Sequence, residues 1–516
     1  MIGVLRTIAA AAAAALCLFA APSQPAAAQS VWRAGPWLED LAVARTAFET
    51  KYANLEWLLT EREFDLPGLF ARAEAAIATA GSDAAAMAVF NRLVQRIADG
   101  HVTISWPRGP AAAPPAPGPA PAAPPPSPAA FCRAQGYAPS AAGFGPAIAG
   151  YRPLDPAGDF LHSGTFDKDG ARFGMIRIGV FQPQGSLSLC TDSVAALAVP
   201  LDRPCDEACD DRIITHAYRA LGEALEDRLT RLRSGGAEVL IVDITGNGGG
   251  SEWVEAAARM LSARPLTAAR LGFVRGEHWA RLWREQSERL RSAAATAGPE
   301  DRRRLLAWAA EADSARAEAE RRCPPTGEPA CPWLGRAGFA TGLVGEAPSG
   351  SFAGKQWAVH VFNPAQHHYR DGVWDGPVIV LIDGETWSAA EQFAALLQDN
   401  RAALIVGART GGSGCGHTWG GTPTRLPNSR AMLNLPDCVR FRADGSNEVR
   451  GVIPDLLLPW RSTDGAAFRA RMLEAALRGA AARASALHRR GPQSRSTSCA
   501  RTTISSCANR SSSLAR

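Results

Sequence analysis

The chain has 516 residues, enough for more than one folded domain, since domains usually contain about 100 to 200 residues. Its formal net charge is only +5, and the acid-free segment 481–516 carries seven arginines. The rest of the chain is therefore close to neutral, which argues against nucleic acid as the main partner. Beyond the first 28 residues no apolar run approaches the ~20 residues of a membrane span, so we expect none.

Residues 1–28 have the pattern of a secretory signal peptide. Arg6 precedes an Ala/Leu-rich run over residues 8–21, and three alanines end the segment just before Gln29, where we predict cleavage. Cys17 follows leucine rather than a small residue, which argues against a lipoprotein cleavage site. We therefore expect the mature protein to be periplasmic or secreted.

Cleavage before Gln29 leaves ten cysteines, an even number in an oxidising compartment, which favours disulfides. The turn-rich stretch CPPTGEPAC makes Cys323 and Cys331 the first predicted pair. Cys205 and Cys209 could form a disulfide, stay free or bind a metal. No nearby histidine or cysteine completes a convincing zinc spacing, so we predict no metal site.

Residues 29–106 show helix-period apolar spacing and predict an N-terminal helical domain. The helical pattern stops at Asp99-Gly100, and a short strand-like run begins after it, so His101 lies at a junction. Residues 107–130 are rich in proline and alanine and predict an extended linker. This linker allows the helical domain to fold back on the C-terminal part of the chain.

Residues 131–480 alternate strand-like and helical segments, which predicts an α/β domain with largely parallel strands. An Arg/Glu/Ala-rich stretch near 270–345 predicts a helical insertion. The basic tail 481–516, with its Ser/Arg/Thr-rich end, is predicted to be disordered.

Two loops of the α/β domain carry candidate chemistry. GNGGG at 246–250 follows a strand hydrophobic enough to be buried on both faces, so it could present backbone N–H groups to an anion, or be only a tight glycine turn. A phosphate loop is a weaker alternative, because GxxxxGK[ST] is absent. DGETWSAAE places Ser388 between a strand and a helix, where it could cap the helix or act as a nucleophile.

Four blocks in order resemble the serine peptidases of the C-terminal-processing (tail-specific) family: TGNGGG, TWSAAEQFAALLQDN, IVGARTGG and RGVIPD. The resemblance covers roughly residues 170–460. It implies a crotonase/Clp-like α/β core, a peptide or protein substrate, no cofactor, and Ser388 as the nucleophile of acyl-enzyme chemistry. It also implies oxyanion donors from the N–H of Ala389 and from the glycine loop, at Gly248 or Gly249.

The sequence departs from the best-known members of that family in its base. They carry a lysine about 25 residues beyond the serine, whereas Ser413 stands there in this chain and no lysine follows Lys355. Tricorn-like members use histidine and glutamate instead, and retinoid-binding-protein-like members also lack the lysine. Their matching positions are His101 in ADGHVTI and Glu448 in NEVRGVIPD, which predicts a Ser388–His101–Glu448 triad.

Each assignment has an alternative. His101 could be a turn histidine, and Glu448 could form a solvated surface pair with Arg450. His417 is the rival base, and Glu391 is predicted to complement the helix dipole. The retinoid-binding relatives also leave open a non-catalytic ligand- or peptide-binding protein on the same fold. An acyl-coenzyme A enzyme shares the oxyanion geometry, but the signal peptide argues against that cofactor.

Overall fold

The computed structural model of the protein describes residues 32–107, 127–321 and 333–490. The predicted signal peptide, the Cys323–Cys331 pair, most of the linker and the end of the basic tail lie outside these ranges.

The helices of the described residues include three N-terminal ones, an antiparallel pair in the insertion and a long C-terminal one. Their bounds are α1 (Gly35–Lys51), α2 (Leu66–Ala78), α3 (Asp83–Ile97), α4 (Pro128–Ala134), α5 (Leu187–Ala196), α6 (Glu207–Ser234), α7 (Trp253–Arg259), α8 (Glu277–Thr296), α9 (Pro299–Glu320), α10 (Ala389–Asp399) and α11 (Ala466–Arg490).

The strands form three sheets within the described ranges. Their bounds are β1 (Thr103–Ser105), β2 (Arg152–Pro153), β3 (Ser163–Lys168), β4 (Ala171–Arg177), β5 (Val239–Asp243), β6 (Arg270–Val274), β7 (Leu334–Phe339), β8 (Val378–Ile382), β9 (Leu404–Gly407), β10 (Thr424–Arg425), β11 (Met432–Asn434), β12 (Cys438–Phe441) and β13 (Leu456–Leu457).

The central sheet has the order β13-β9-β8-β5-β4-β3-β2. The strands from β13 to β4 pair in parallel, and β3 and β2 add antiparallel pairs at one edge. Every residue of β5, β8 and β9 is buried, as expected of parallel strands covered on both faces. One face packs against α6, α7 and α10, and the other against α11. The predicted α/β class is confirmed.

The N-terminal helices pack on the C-terminal half of the chain. Their core includes Phe48, Phe70 and Phe90 together with Leu433 and Val449 from the far half. Strand β1 pairs antiparallel with β11, joining Thr103 to Asn434. This pairing fixes the junction that carries His101 against a distant part of the sequence.

Two predicted boundaries differ from the structure. Helix α4 begins at Pro128, inside the predicted linker 107–130, because Ser127 caps it by accepting a hydrogen bond from the N–H of Ala130. Helix α11 runs to Arg490, so residues 481–490 are helical rather than disordered. Apolar residues of this stretch, including Ala484 and Leu487, pack against the sheet.

The predicted insertion contains the antiparallel pair α8–α9, which buries Trp279, Trp283 and Leu290. No helix in the described ranges is long and apolar enough to cross a membrane.

Candidate active site

Ser388 stands at the turn between β8 and α10. Its φ of 54° and ψ of −118° put a non-glycine residue in the left-handed half of backbone space, a strain that typically costs about 1–3 kcal/mol. The side chain is half-buried and lines a cavity of about 490 Å³. A strained serine that lines a cavity at a helix start has a geometry suited to a nucleophile.

His101 reaches this serine. Its Nε2 lies 3.1 Å from Oγ of Ser388, and its Nδ1 lies 2.9 Å from the carbonyl oxygen of Ser413. A carbonyl oxygen only accepts hydrogen bonds, so this network assigns the proton to Nδ1 and leaves a lone pair on Nε2. The imidazole can therefore take the hydroxyl proton of Ser388.

The protonation of His101 depends on its surroundings. Burial lowers the pKa of the imidazole from its ordinary value, which favours the neutral base. The nearby carboxylate of Asp99 and the carbonyl of Ser413 raise the pKa of His101, whereas His417 and Arg440 lower it further.

Asp99 is a residue that the sequence analysis missed. Its Oδ1 accepts a hydrogen bond from the N–H of His101 at 3.0 Å, and its Oδ2 accepts from Tyr52 and Asn54 at 3.0 and 2.9 Å. Burial raises the pKa of this carboxyl. Its position two residues before His101 was the available signal, because an aspartate side chain often accepts from the N–H two residues on.

His417, the rival base, does not reach Ser388 in the described structure. Its Nδ1 lies 3.1 Å from the carbonyl oxygen of Leu435, and its Nε2 lies 3.1 Å from the carbonyl oxygen of His101. The two imidazoles meet edge to face, with ring centres 5.8 Å apart. His417 therefore supports the backbone of His101.

Glu448 is buried, but its position differs from the predicted one. Its oxygens accept two hydrogen bonds from Arg440, at 2.9 and 2.7 Å, and no hydrogen bond joins it to His101 within the described structure. The carbonyl of Ser413 takes the place expected for the carboxylate beside Nδ1. The predicted direct contact is thus corrected. The surface-pair alternative is also wrong, because Arg450 pairs with Glu61.

Arg440 links Glu448 to the nucleophile. The same guanidinium donates to the carbonyl oxygens of Gly414 and Ser388, at 2.8 and 3.3 Å. Glu448 therefore acts on Ser388 and the neighbouring loop through this arginine, which the sequence analysis did not single out.

Glu391 holds the opposite side of the nucleophile. Its Oε2 accepts from the N–H groups of Ser388 and Ser413, at 3.0 and 2.8 Å. Its Oε1 accepts from the hydroxyl of Thr410 and the N–H of Gly412, at 2.6 and 2.7 Å. One carboxylate thus joins the nucleophile to the loop that orients His101, well beyond the predicted complement to the helix dipole.

Of the three predicted oxyanion donors, one N–H group is already hydrogen-bonded and two are free in the described structure. The N–H of Gly249 donates to the side chain of Asn247 at 2.8 Å, so it is not available to a substrate. The N–H groups of Gly248 and Ala389 have no acceptor among the described residues. Gly249 instead allows close packing, since a Cβ there would lie 2.8 Å from Cβ of Ser388.

Lysine is absent from this site. Lys355 forms a surface pair with Asp301 at 2.5 Å. Ser413, where relatives carry lysine, is buried, and its Oγ has no hydrogen-bond partner within the described ranges.

The cysteines form disulfides where the structure describes them: Cys132–Cys190, Cys205–Cys209 and Cys415–Cys438. The second settles the choice left open for CDEAC in favour of a disulfide. The third ties the loop after Ser413 to β12, which carries Arg440. No group of potential metal ligands occurs in the part of the chain that the structure describes.

Comparison with known proteins gives a match to one family model and a similar fold. The model of peptidase family S41 matches residues 214–458. The crystal structure of mature CPAF is similar with a TM-score of 0.57 and 15% identity, covering 88% of this chain and 98% of that one. The structure of mature CPAF complexed with lactacystin is similar with a TM-score of 0.53 and 15% identity, covering 87% of this chain and 99% of that one. The structure named photosystem II D1 C-terminal processing protease has a TM-score of 0.32 and 13% identity, covering 82% of this chain and 93% of that one. No curated protein sequence matches.

Proposed function

We propose that the chain is a serine peptidase of family S41 that hydrolyses peptide bonds through an acyl-enzyme, because the family model matches residues 214–458. The observation that carries the proposal is the 3.1 Å contact between Nε2 of His101 and Oγ of Ser388, with Nδ1 held by a carbonyl. A ligand-binding protein has no need of a histidine tautomer set toward a strained serine.

The proposed mechanism follows these hydrogen bonds. His101 Nε2 takes the proton of Ser388 as Oγ attacks the carbonyl carbon of the scissile peptide bond. The N–H groups of Gly248 and Ala389 stabilise the oxyanion that forms. His101 then returns the proton to the leaving amine as the C–N bond breaks. Nε2 then takes a proton from a water molecule as the water oxygen attacks the acyl carbon, and it returns that proton to Oγ of Ser388 as the ester C–O bond breaks and the carboxylic acid product leaves.

We assign three supporting roles. The carbonyl of Ser413 keeps the proton on Nδ1 of His101. Glu391 and the Arg440–Glu448 pair hold Ser388 from its N–H side and its carbonyl side. Asp99 offers negative charge to the imidazolium that forms during the reaction.

We also propose that the protein acts in the periplasm or outside the cell. The disulfides of the described residues fit an oxidising compartment. The signal-peptide pattern before Gln29 supports the same proposal.

Labelling with a fluorophosphonate tests the proposal. The purified protein should become covalently labelled, and mass spectrometry should map the adduct to Ser388. Ser351→Ala, at an exposed serine, is the matched control and should label normally. Digestion of a peptide library should then release fragments with new termini. Absence of both the adduct and the fragments would favour the non-catalytic binding protein.

A further inference from the structure

The active-site cavity carries an acidic side chain that the proposed mechanism does not use. The cavity is lined by glycines at 100, 246, 248 and 250, by Trp387, by Ser388 and Ser413, and by two titratable residues, Glu385 and His101. Burial favours the neutral form of His101. Glu385 is the acidic side chain of this lining.

The carboxylate of Glu385 is exposed, and no residue of the described ranges pairs with it. Asp383, two residues earlier, differs in this respect. It is buried and accepts hydrogen bonds from Arg469 at 3.1 Å and from the N–H of Gly246 at 2.8 Å. The structure thus satisfies one acid of this turn internally and leaves the other facing the cavity.

The backbone beneath Glu385 is well fixed. Its N–H donates to Oδ1 of Asp383 at 3.1 Å, and the N–H of Thr386 donates to the carbonyl of Asp383 at 3.0 Å. The backbone that carries this carboxylate is therefore fixed three residues before Ser388, and both residues line the same cavity.

Trp387, two residues after Glu385, supplies an apolar part of the same cavity lining. Its ring packs so closely on the backbone that a Cβ at Gly100 or Gly411 would lie 2.1 or 2.6 Å from ring atoms. The indole is half-buried, and part of it lines the cavity. A tryptophan and an unpaired carboxylate that line one cavity match a lysine or arginine side chain, whose methylene stem can pack on the indole while its charge meets the acid.

We propose that Glu385 and Trp387 form a subsite for a cationic side chain of the substrate, so that the enzyme prefers peptides with lysine or arginine near the cleaved bond. This inference rests on the proposed peptidase function and names its substrate class. Glu385 is a specificity determinant and has no part in the proton transfers.

The test uses N-acetylated peptides that are identical except for one position carrying Lys, Arg, Gln or Glu, scanned along both sides of the cleavage site. Hydrolysis is measured with the active enzyme as kcat/KM. Binding is measured separately with Ser388→Ala by fluorescence anisotropy, so loss of hydrolysis and loss of charge preference are distinguishable.

At one position, Lys and Arg should be preferred over Gln by roughly fivefold, the size expected of a partly exposed ion pair. Glu385→Gln should remove the preference and Glu385→Lys should reverse it toward Glu. Glu311→Gln, at an exposed glutamate on α9, should leave it intact. The preference should shrink as salt is raised.

Three results would contradict the proposed cationic subsite. It is rejected if the Ser388→Ala protein shows no cationic preference in binding, or if the preference persists when Glu385→Gln is added to it. A preference that depends only on a free N-terminal amine, seen by comparing acetylated with unacetylated peptides, also rejects it in favour of α-amino recognition.

Discussion

Two buried glutamates hold the nucleophile from opposite sides, and they do so by different chemistry. Glu391 accepts four hydrogen bonds, all from neutral N–H and O–H donors. Glu448 accepts hydrogen bonds from the guanidinium of Arg440, which also donates a hydrogen bond to the carbonyl oxygen of Ser388. Burial raises the pKa of Glu391, and the charge of Glu448 adds to the rise, whereas the hydrogen bonds from Thr410 and the loop oppose it.

The difference assigns separate tasks to the two regions. The Glu391 side fixes the turn of Ser388 and the loop that orients His101, so its geometry bears on proton transfer. The Glu448 side places a buried ion pair beneath the site, so its integrity bears on stability. Substitutions of Glu391 and of Glu448, compared with Ser388→Ala, test this division of tasks.

The largest effect is expected from Ser388→Ala. If Ser388 is the nucleophile of the proposed peptidase, removing the attacking oxygen should lower kcat by roughly 10⁴ to 10⁶, the size of loss known for serine peptidases. Because the hydroxyl contacts the cavity and His101 rather than the hydrophobic core, the melting temperature should stay within a few degrees of wild type. Peptide hydrolysis and thermal unfolding measure the two quantities, and unchanged turnover ends the peptidase account.

Glu448→Ala should cause the largest loss of stability. It leaves the guanidinium of Arg440 buried without its counterion, which typically costs about 3–5 kcal/mol. Chemical denaturation measures the free energy of unfolding, and Glu311→Gln, an exposed control, should change it by less than about 0.5 kcal/mol. A Glu448→Ala variant as stable as the control would show that the ion pair does not support the site.

Glu391→Gln should affect catalysis more than its chemical similarity suggests. Each oxygen of Glu391 accepts two donors, so an amide in either orientation turns its NH₂ toward two of them. The unfolding free energy should fall by about 1–3 kcal/mol. We expect kcat to fall by roughly tenfold or more with little change in KM, since substrate does not contact this carboxylate. A change in KM alone contradicts the positioning role.

These partners show what the sequence could and could not supply. The buried strands, the glycine loop and the placement of Ser388 and His101 at element junctions are encoded in local hydrophobic pattern and turn residues. The partner of Glu448 was missed although it is local: Arg440 lies eight residues earlier, and the antiparallel bridge between Phe441 and Asn447 closes the turn that brings it to the carboxylate. The choice of Gly248 over Gly249 depends on the side-chain rotamer of Asn247. The role of Glu391 depends on the loop at Thr410 to Ser413, well beyond its own helix.

Asp99→Asn should have the smallest effect at neutral pH. Activity requires neutral His101, so it rises as pH increases through the pKa of that imidazole. The Asp99 carboxylate raises this pKa, and its removal should move the rising limb of kcat/KM to lower pH. Rates measured from acid to neutral pH check this. A shift to higher pH would contradict the assigned charge interaction.

The central claim is that His101, and not His417, takes the proton of Ser388. The most direct measurement is the pH profile of kcat/KM for the wild type, His101→Ala and His417→Ala. We predict a rising limb for the wild type with its midpoint below the ordinary histidine pKa of about 6.5, because burial lowers the pKa of His101. His417→Ala should keep that limb with a loss of only a few-fold, and His101→Ala should lose the limb together with nearly all activity. Full activity in His101→Ala, with its loss in His417→Ala, would contradict the account.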